Sequence, residues 1–147
     1  MNKDNPLTPE EFSFIYSKVP RLTVELIIKN KDGMLLTKRA IEPCIGQWHL
    51  PGGTVRFGES LVNAVKRIAN RELGIEIIQT KNVGIIEYPS HYLFGLDSPV
   101  GMVFECSIKG EVAPNNEALT YGWFKEIPSP MHADQDKFLL SNGYLKS

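Results

Sequence analysis

Gly52-Gly53, Glu59, Arg67 and Glu72 fall within one short stretch of the chain. Glycines beside acids and an arginine are the residue types that handle a phosphate or a cation. From residue 60 to residue 73 the apolar side chains Leu61, Ala64, Val65, Ile68 and Ala69 recur at helical spacing, and Gly74 stands where a helix would end. Glu72 follows Ile68, Val65 and Leu61 by four, seven and eleven positions, so it shares the face that this helix must bury. A carboxylate there is costly unless a cation meets it. That cation is either a basic side chain such as Arg67 or Arg71, or a metal ion. Glu59 falls in the first turn, where an acid favours the helix macrodipole, and it is also placed to orient the site by pairing with Arg67. The planar fork of Arg67 suits either of two tasks, tying the glycine loop together or stabilising a substrate phosphate. Gly52-Gly53 lets the backbone turn tightly and leaves a carbonyl unshielded.

The elements that must position these residues can be read around them. Thr8-Pro9-Glu10-Glu11 has the form of a capping box with proline in the first turn, predicting a short helix to about residue 19. Residues 21–30, dense in Val, Leu and Ile, and residues 34–39 flank the turn signal Asn30-Lys-Asp-Gly33 and read as a hairpin. A short extended run at 47–50 is stopped by Pro51-Gly-Gly53. Strands are expected at 75–80, 83–88, 100–108 and 121–124, with a closing helix at 137–145. His91 falls in a loop on this reading. Neither repeat nor linker interrupts the chain, so one domain spans 1–147, with 1–20 as a helical extension, in an α/β or α+β layered fold.

Composition narrows the partners. The 147 residues carry a formal net charge of -1, with Lys and Arg scattered, which gives no field for nucleic acid and points to a small substrate. Cys44 and Cys106 are the two cysteines and lie far apart, arguing against a disulfide framework or a zinc motif and fitting a cytoplasmic setting. No apolar run approaches membrane-spanning length, so no membrane role is expected.

The stretch around Glu72 resembles the Nudix box: Gly, five residues, Glu, seven residues, Arg-Glu, an aliphatic, any residue, Glu-Glu, any residue, Gly, aliphatic. Gly53, Glu59, Arg67, Glu72, Gly74 and Ile75 fall in register, while Ile68 and Arg71 stand where two of the acids are expected. The resemblance implies an α/β/α sandwich with a mixed sheet and the box helix packed on it. It also implies a Mg²⁺ cofactor, with Mn²⁺ as an alternative, held by Glu72 and the Gly52 carbonyl beside a substrate at Gly53. A hard cation of this kind wants oxygen ligands.

The two lost acids make the chain similar to the GDP-mannose mannosyl hydrolase branch, which lacks both. Further similarity lies in Leu7-Thr-Pro-Glu-Glu-Phe12, Leu35-Leu36-Thr-Lys38-Arg39, Pro43, Gly46-Gln-Trp48 and Tyr121-Gly-Trp123. This resemblance implies a homodimer and gives Arg39 the place of an arginine set against the leaving phosphate. In that branch a metal-binding Gln and a catalytic His precede the Tyr-Gly-Trp-like segment, where this chain has Glu117-Ala118. Glu117 resembles the late glutamate of ordinary Nudix enzymes and is expected to serve as both ligand and base. His91 and His132 are alternative bases. The branch's arginine after Gly-Gly is replaced by Thr54.

Three functions follow as expectations. The first is Mg²⁺-dependent hydrolysis of a nucleoside diphosphate linked to another group, of the GDP-mannose type, releasing the nucleoside diphosphate and a sugar. Such substitution at carbon needs chiefly a stabilised leaving group, which accounts for a depleted set of acids. The second is a conventional pyrophosphohydrolase that attacks phosphorus of a nucleoside diphosphate derivative or triphosphate. The third is a catalytically weak nucleotide-binding domain. Phe57, Tyr92, Phe94, Tyr121 and Phe124 are candidates to stack on a base.

Overall fold

A computed structural model describes residues 5–40, 44–113 and 120–147. The chain runs α1 (Pro9–Tyr16), β1 (Arg21–Asn30), β2 (Gly33–Lys38), β3 (Trp48–His49), β4 (Gly52–Thr54), α2 (Leu61–Leu73), β5 (Glu76–Glu87), α3 (Pro89–Tyr92), β6 (Pro99–Lys109), β7 (Thr120–Phe124) and α4 (Ala133–Ser141). The main path of the sheet is β3-β2-β1-β6-β5, with β4 added to β1 and β7 to β2. It is a mixed sheet. β1 and β6 run parallel, and the other pairs are antiparallel.

Local chemistry explains the helix ends. Thr8 and Glu11 close a reciprocal capping box at α1, with Pro9 in the first turn. The Ser60 side chain accepts the Asn63 N–H at the start of α2, and Gly74 ends that helix in the left-handed region at φ 66°. A side chain there would be strained and would also crowd the Ala113 carbonyl.

β1 sits at the centre and its alternation divides the core. Val24, Leu26 and Ile28 join Ala64, Val65, Ile68, Ala69 and Leu73 of α2 in one cluster. Ile27 packs in a second cluster with Ile86, Tyr88, Val103 and Leu139 of α4. Helices therefore cover both faces of the sheet, the α/β/α arrangement expected. No helix among the described residues is long and apolar enough to cross a membrane.

Four local expectations are corrected. The two strands read at 75–80 and 83–88 are one strand, β5, with irregular register at Ile77/Gln79 and Asn82/Gly84; these irregularities break the apolar alternation that would have signalled continuity. The last helix covers Ala133–Ser141 rather than 137–145, because His132 caps it through Asp134 N–H. Gly52-Gly53 does more than stop a strand: these residues form β4 against β1. His91 belongs to the short helix α3 and is buried. Ile68 is 2% exposed and central to the α2 cluster. Ile68→Ala is therefore expected to cost about 2–5 kcal/mol, to be read from a urea midpoint with an unchanged slope.

Candidate active site

A cleft of about 630 Å³ opens between α1, the start of β1, the β2–β3 loop, β4, and the segment carrying α3 and the start of α4. Arg39, Gly52 and Gly53 line it, as do Arg21, Glu25, Tyr88, His91, Asp97, His132 and Gln135. Its size suits a nucleotide-sized ligand. Glu59, Arg67 and Glu72 are not part of the lining. Glu117 lies outside the described residues.

Register fixes how β4 is presented. Leu26 N–H donates to Pro51 O at 2.8 Å and Val55 N–H to Leu22 O at 3.0 Å. Gly52 and Thr54, opposite Glu25 and Thr23, therefore occupy the non-hydrogen-bonded positions of this pair, and their carbonyls are directed away from β1. Arg67 takes one of these, donating to Thr54 O at 2.9 Å, and grips Glu59 with two further bonds of 2.7 and 2.9 Å. Glu59 in turn accepts the Arg56 N–H at 3.1 Å. The hydrogen bond from Arg67 holds the Glu59 carboxyl below its ordinary range. Together these bonds tie the box helix to the loop before it and to β4.

Glu25 is the residue that sequence reasoning missed. It is 6% exposed and projects from β1 on the face of Ile27. Both Thr23 Oγ1 and Tyr88 Oη donate to its Oε1, at 2.9 and 3.0 Å, and Gln135 Nε2 donates to Tyr88 Oη at 2.9 Å. Its Oε2 lies against Gly52, where a Cβ would overlap it. That Cβ would also fall 2.5 Å from the Val24 carbonyl oxygen, a backbone atom that cannot turn aside, so glycine is required at 52. Burial pushes the Glu25 carboxyl from its ordinary 4.5 to about 7, and the charge of Glu72 adds to the rise. Glu72 is half-buried, and its charge acts on Arg39 as well, whose guanidinium is lowered chiefly by burial. Glu25, Glu72 and Arg39 thus share one electrostatic neighbourhood.

Glu72 and Glu25 repel each other through their charges, and the Gly52 carbonyl is turned away from its own strand pairing; oxygen donors of this kind are what a hard divalent cation would take. Ile68 and Arg71 contribute nothing comparable: the first is core and packs against Gly53, and the second carries the wrong charge.

A polar relay continues from β4 along the cleft. Arg21 donates to Asp97 at 2.7 Å and to Thr54 Oγ1 at 2.8 Å, and its guanidinium lies 5.7 Å over the Phe12 ring. Asp97 also accepts from His91 Nδ1 at 2.8 Å. Burial alone would raise Asp97, but the hydrogen bond from His91 and the charge of Arg21 together hold it at about 2. Among the proposed stacking residues, Phe57 and Phe94 are fully or largely exposed, and none of the five lines the cleft. Glu25 had a local signal that was overlooked, a single charge inside the apolar run Leu22-Thr-Val-Glu-Leu-Ile-Ile28. Arg21, Asp97, Tyr88 and Gln135 had none.

The fold is an α/β/α domain with a mixed sheet between helices, and an arginine clamps the glycine loop that leads into the central helix. The NUDIX domain model matches residues 19–140, and the chain belongs to the Nudix family. It is similar to the low-salt glycan biosynthesis protein Agl8 of Haloferax volcanii, 37% identical over 100 residues, which are 65% of this chain and 64% of that protein. It is also similar to the nucleoside triphosphatase NudI of Escherichia coli, 31% identical over 67% of this chain and 77% of that one, and to the 8-oxo-dGDP phosphatase NUDT18 of Mus musculus, 25% identical over 83% of this chain. The match spans only 38% of the mouse protein. Among solved structures, a MutT NUDIX hydrolase from Burkholderia pseudomallei superposes with a TM-score of 0.72 at 28% identity, covering 80% of this chain and 94% of that one.

The raised Glu25 carboxyl has a consequence for stability. Its protonated form is favoured by folding, so its contribution is complete below the unfolded value near 4.5 and is lost as pH rises to about 7. The loss amounts to about 3 kcal/mol at one pH unit per 1.36 kcal/mol. In EDTA, the difference in unfolding free energy between the wild type and Glu25→Gln should move in favour of the variant across this window. A difference that stays flat with pH contradicts the assignment.

Proposed function

We propose that this domain is a Mg²⁺-dependent hydrolase of a small nucleoside diphosphate derivative, of the nucleotide-sugar class, releasing the nucleoside diphosphate and the sugar. The observation that carries the reading is the Gly52 carbonyl turned away from β1 in the cleft wall, with Glu25 against it, Arg39 on the same wall, and the charge of Glu72 acting on both Glu25 and Arg39. Glu72, the Gly52 carbonyl and Glu25 would hold the cation, and Glu117 remains a candidate further ligand or base. Once bound, Mg²⁺ supplies charge neutralisation for a departing diphosphate.

The chain's own groups divide the remaining work. Arg39, half-buried and thus less screened than a surface charge, stabilises the phosphate that gathers negative charge as the bond breaks. Glu25 offers the cation Oε2, the oxygen that Thr23 and Tyr88 leave unused. Arg67 acts through position, fixing Glu59 and β4 so that the Gly52 carbonyl keeps its direction. Phe12, Tyr16 and Leu96 on the cleft wall give a ligand apolar contact at the end near α1.

The depleted acids favour attack at carbon, since Ile68 and Arg71 leave too few carboxylates to crowd metals and water around phosphorus. The printed name of the Haloferax relative, a glycan biosynthesis protein, is in keeping with a sugar-bearing substrate. Attack at phosphorus is the second reading, supported by the names of the nucleoside triphosphatase and 8-oxo-dGDP phosphatase relatives. Hydrolysis in oxygen-18 water separates them: label on the sugar supports the first reading, and label on phosphate the second. Glu72→Gln is expected to lower Mg²⁺-dependent turnover by about 10²-fold or more, the scale of losing a group that stabilises transition-state charge. Full turnover by this variant would remove Glu72 from the site.

A further inference from the structure

Three cleft residues that the hydrolase reading leaves aside come together from distant parts of the chain. His91 is on α3, His132 caps α4, and Cys44 lies on the β2–β3 loop. One ligating atom from each lies within 4.8 Å of the other two. Both histidines are buried, at 8% and 6% exposure.

The imidazoles meet edge to edge, Nε2 to Nε2, at 2.9 Å. Their outer nitrogens fix where the protons are. His91 Nδ1 faces the Asp97 carboxylate at 2.8 Å and carries a proton, whereas His132 Nδ1 accepts the Asp134 N–H at 3.3 Å and carries none. A neutral His132 therefore bears its proton on Nε2 and donates it to His91. Burial and the neighbouring His91 keep His132 neutral, lowering it to about 4. One proton thus bridges two nitrogens that are otherwise both ligand-competent.

We propose that Cys44, His91 and His132 form a binding site for Zn²⁺ or a similarly thiophilic divalent ion, separate from the oxygen site at Gly52 and open toward the cleft. Tetrahedral zinc with Zn–N near 2.0 Å and Zn–S near 2.3 Å separates its ligand nitrogens by roughly 3.3 Å, and sulfur from nitrogen by roughly 3.6 Å. The two histidines need to part by only a few tenths of an ångström, and the cysteine to close by about 1 Å. Soft sulfur and imidazole ligands select zinc over magnesium.

The surroundings are those of a metal centre. Asp97, itself held by Arg21, stands behind His91 as the carboxylate that fixes ring orientation and raises ligand basicity. Cys44 has a backbone φ of 67°, a conformation uncommon for a residue with a side chain. The positive charge of Arg39 interacts with Cys44 and favours its thiolate. Binding balances as follows: the Cys44 thiol releases its proton to solvent, and the His132 proton passes from Nε2 to Nδ1. The Asp134 N–H contact is given up in exchange, and it is already longer than an ordinary hydrogen bond. Three protein ligands leave a fourth position for water or a ligand oxygen in the cleft.

Cobalt(II) titration in excess Mg²⁺ tests the site, because Mg²⁺ fills the oxygen site and cobalt reports its own ligands. One Co²⁺ per chain is expected, with four-coordinate visible absorption and a thiolate-to-cobalt charge-transfer band, all displaced by Zn²⁺. Cys44→Ser should abolish that band and weaken binding at least tenfold, while Cys106→Ser keeps both. Asp97→Asn should weaken affinity about 10–100-fold with the band retained. Circular dichroism checks that each variant is folded. Absence of cobalt binding, a band that survives Cys44→Ser, or binding that Mg²⁺ competes away overturns the proposal. Retained cobalt binding in Glu72→Gln separates this site from the hydrolase reading, whichever way that reading falls.

Discussion

A carboxylic acid buried in the middle of a strand tolerates few neighbours, and the arrangement around Glu25 follows from that constraint. Two hydroxyls donate to one of its oxygens, and the other needs room that only a glycine opposite can leave. Gly52 stands opposite Glu25 in the register of β4 on β1. The register in turn decides which β4 carbonyls face outward. Arg67 consumes one of them and thereby attaches the central helix. The acid, the glycine, the clamp and the helix form one dependent series, and the cleft lies along it.

The same constraint accounts for the chemistry. Burial, with a smaller push from a second acid, raises the Glu25 carboxyl and works against its charged form. A divalent cation would relieve both causes at once. The cleft holds two donor groups of opposite character joined through Tyr88: oxygen donors near Gly52, and nitrogen and sulfur donors near His132. Ligand type alone is enough to sort a hard ion from a soft one between them.

What the sequence disclosed depended on how local each signal was. The box helix was legible because its apolar spacing and the Gly74 at its end are local to the element they define, and the capping box at Thr8 was equally compact. β5 was misread as two strands because its irregular register scrambles the period of two on which the reading relies. His91 looked like a loop residue because four residues of helix carry no periodicity. The link from Arg21 to Asp97 joins residues 76 apart and leaves no trace in either neighbourhood. Glu25 shows in the sequence as a charge amid aliphatic residues, but a lone acid in a strand carries no spacing that names Tyr88, its distant partner, or Gln135 behind it.

The parallel pairing of β1 with β6 bears on how this chain is made. From Arg21↔Pro99 to Ile28↔Cys106, the central strand finds its partner only after the intervening segments have been synthesised. Pairing of such long sequence separation is slow, because the entropy of closing the loop precedes any gain from contact. During translation, the β1 edge destined for β6 stays unsatisfied for much of the chain's length, a window in which neighbouring nascent chains compete for it. The charge of Glu25 in the middle of that strand discourages such mispairing, so the group that shapes the finished cleft also protects the unfinished polypeptide.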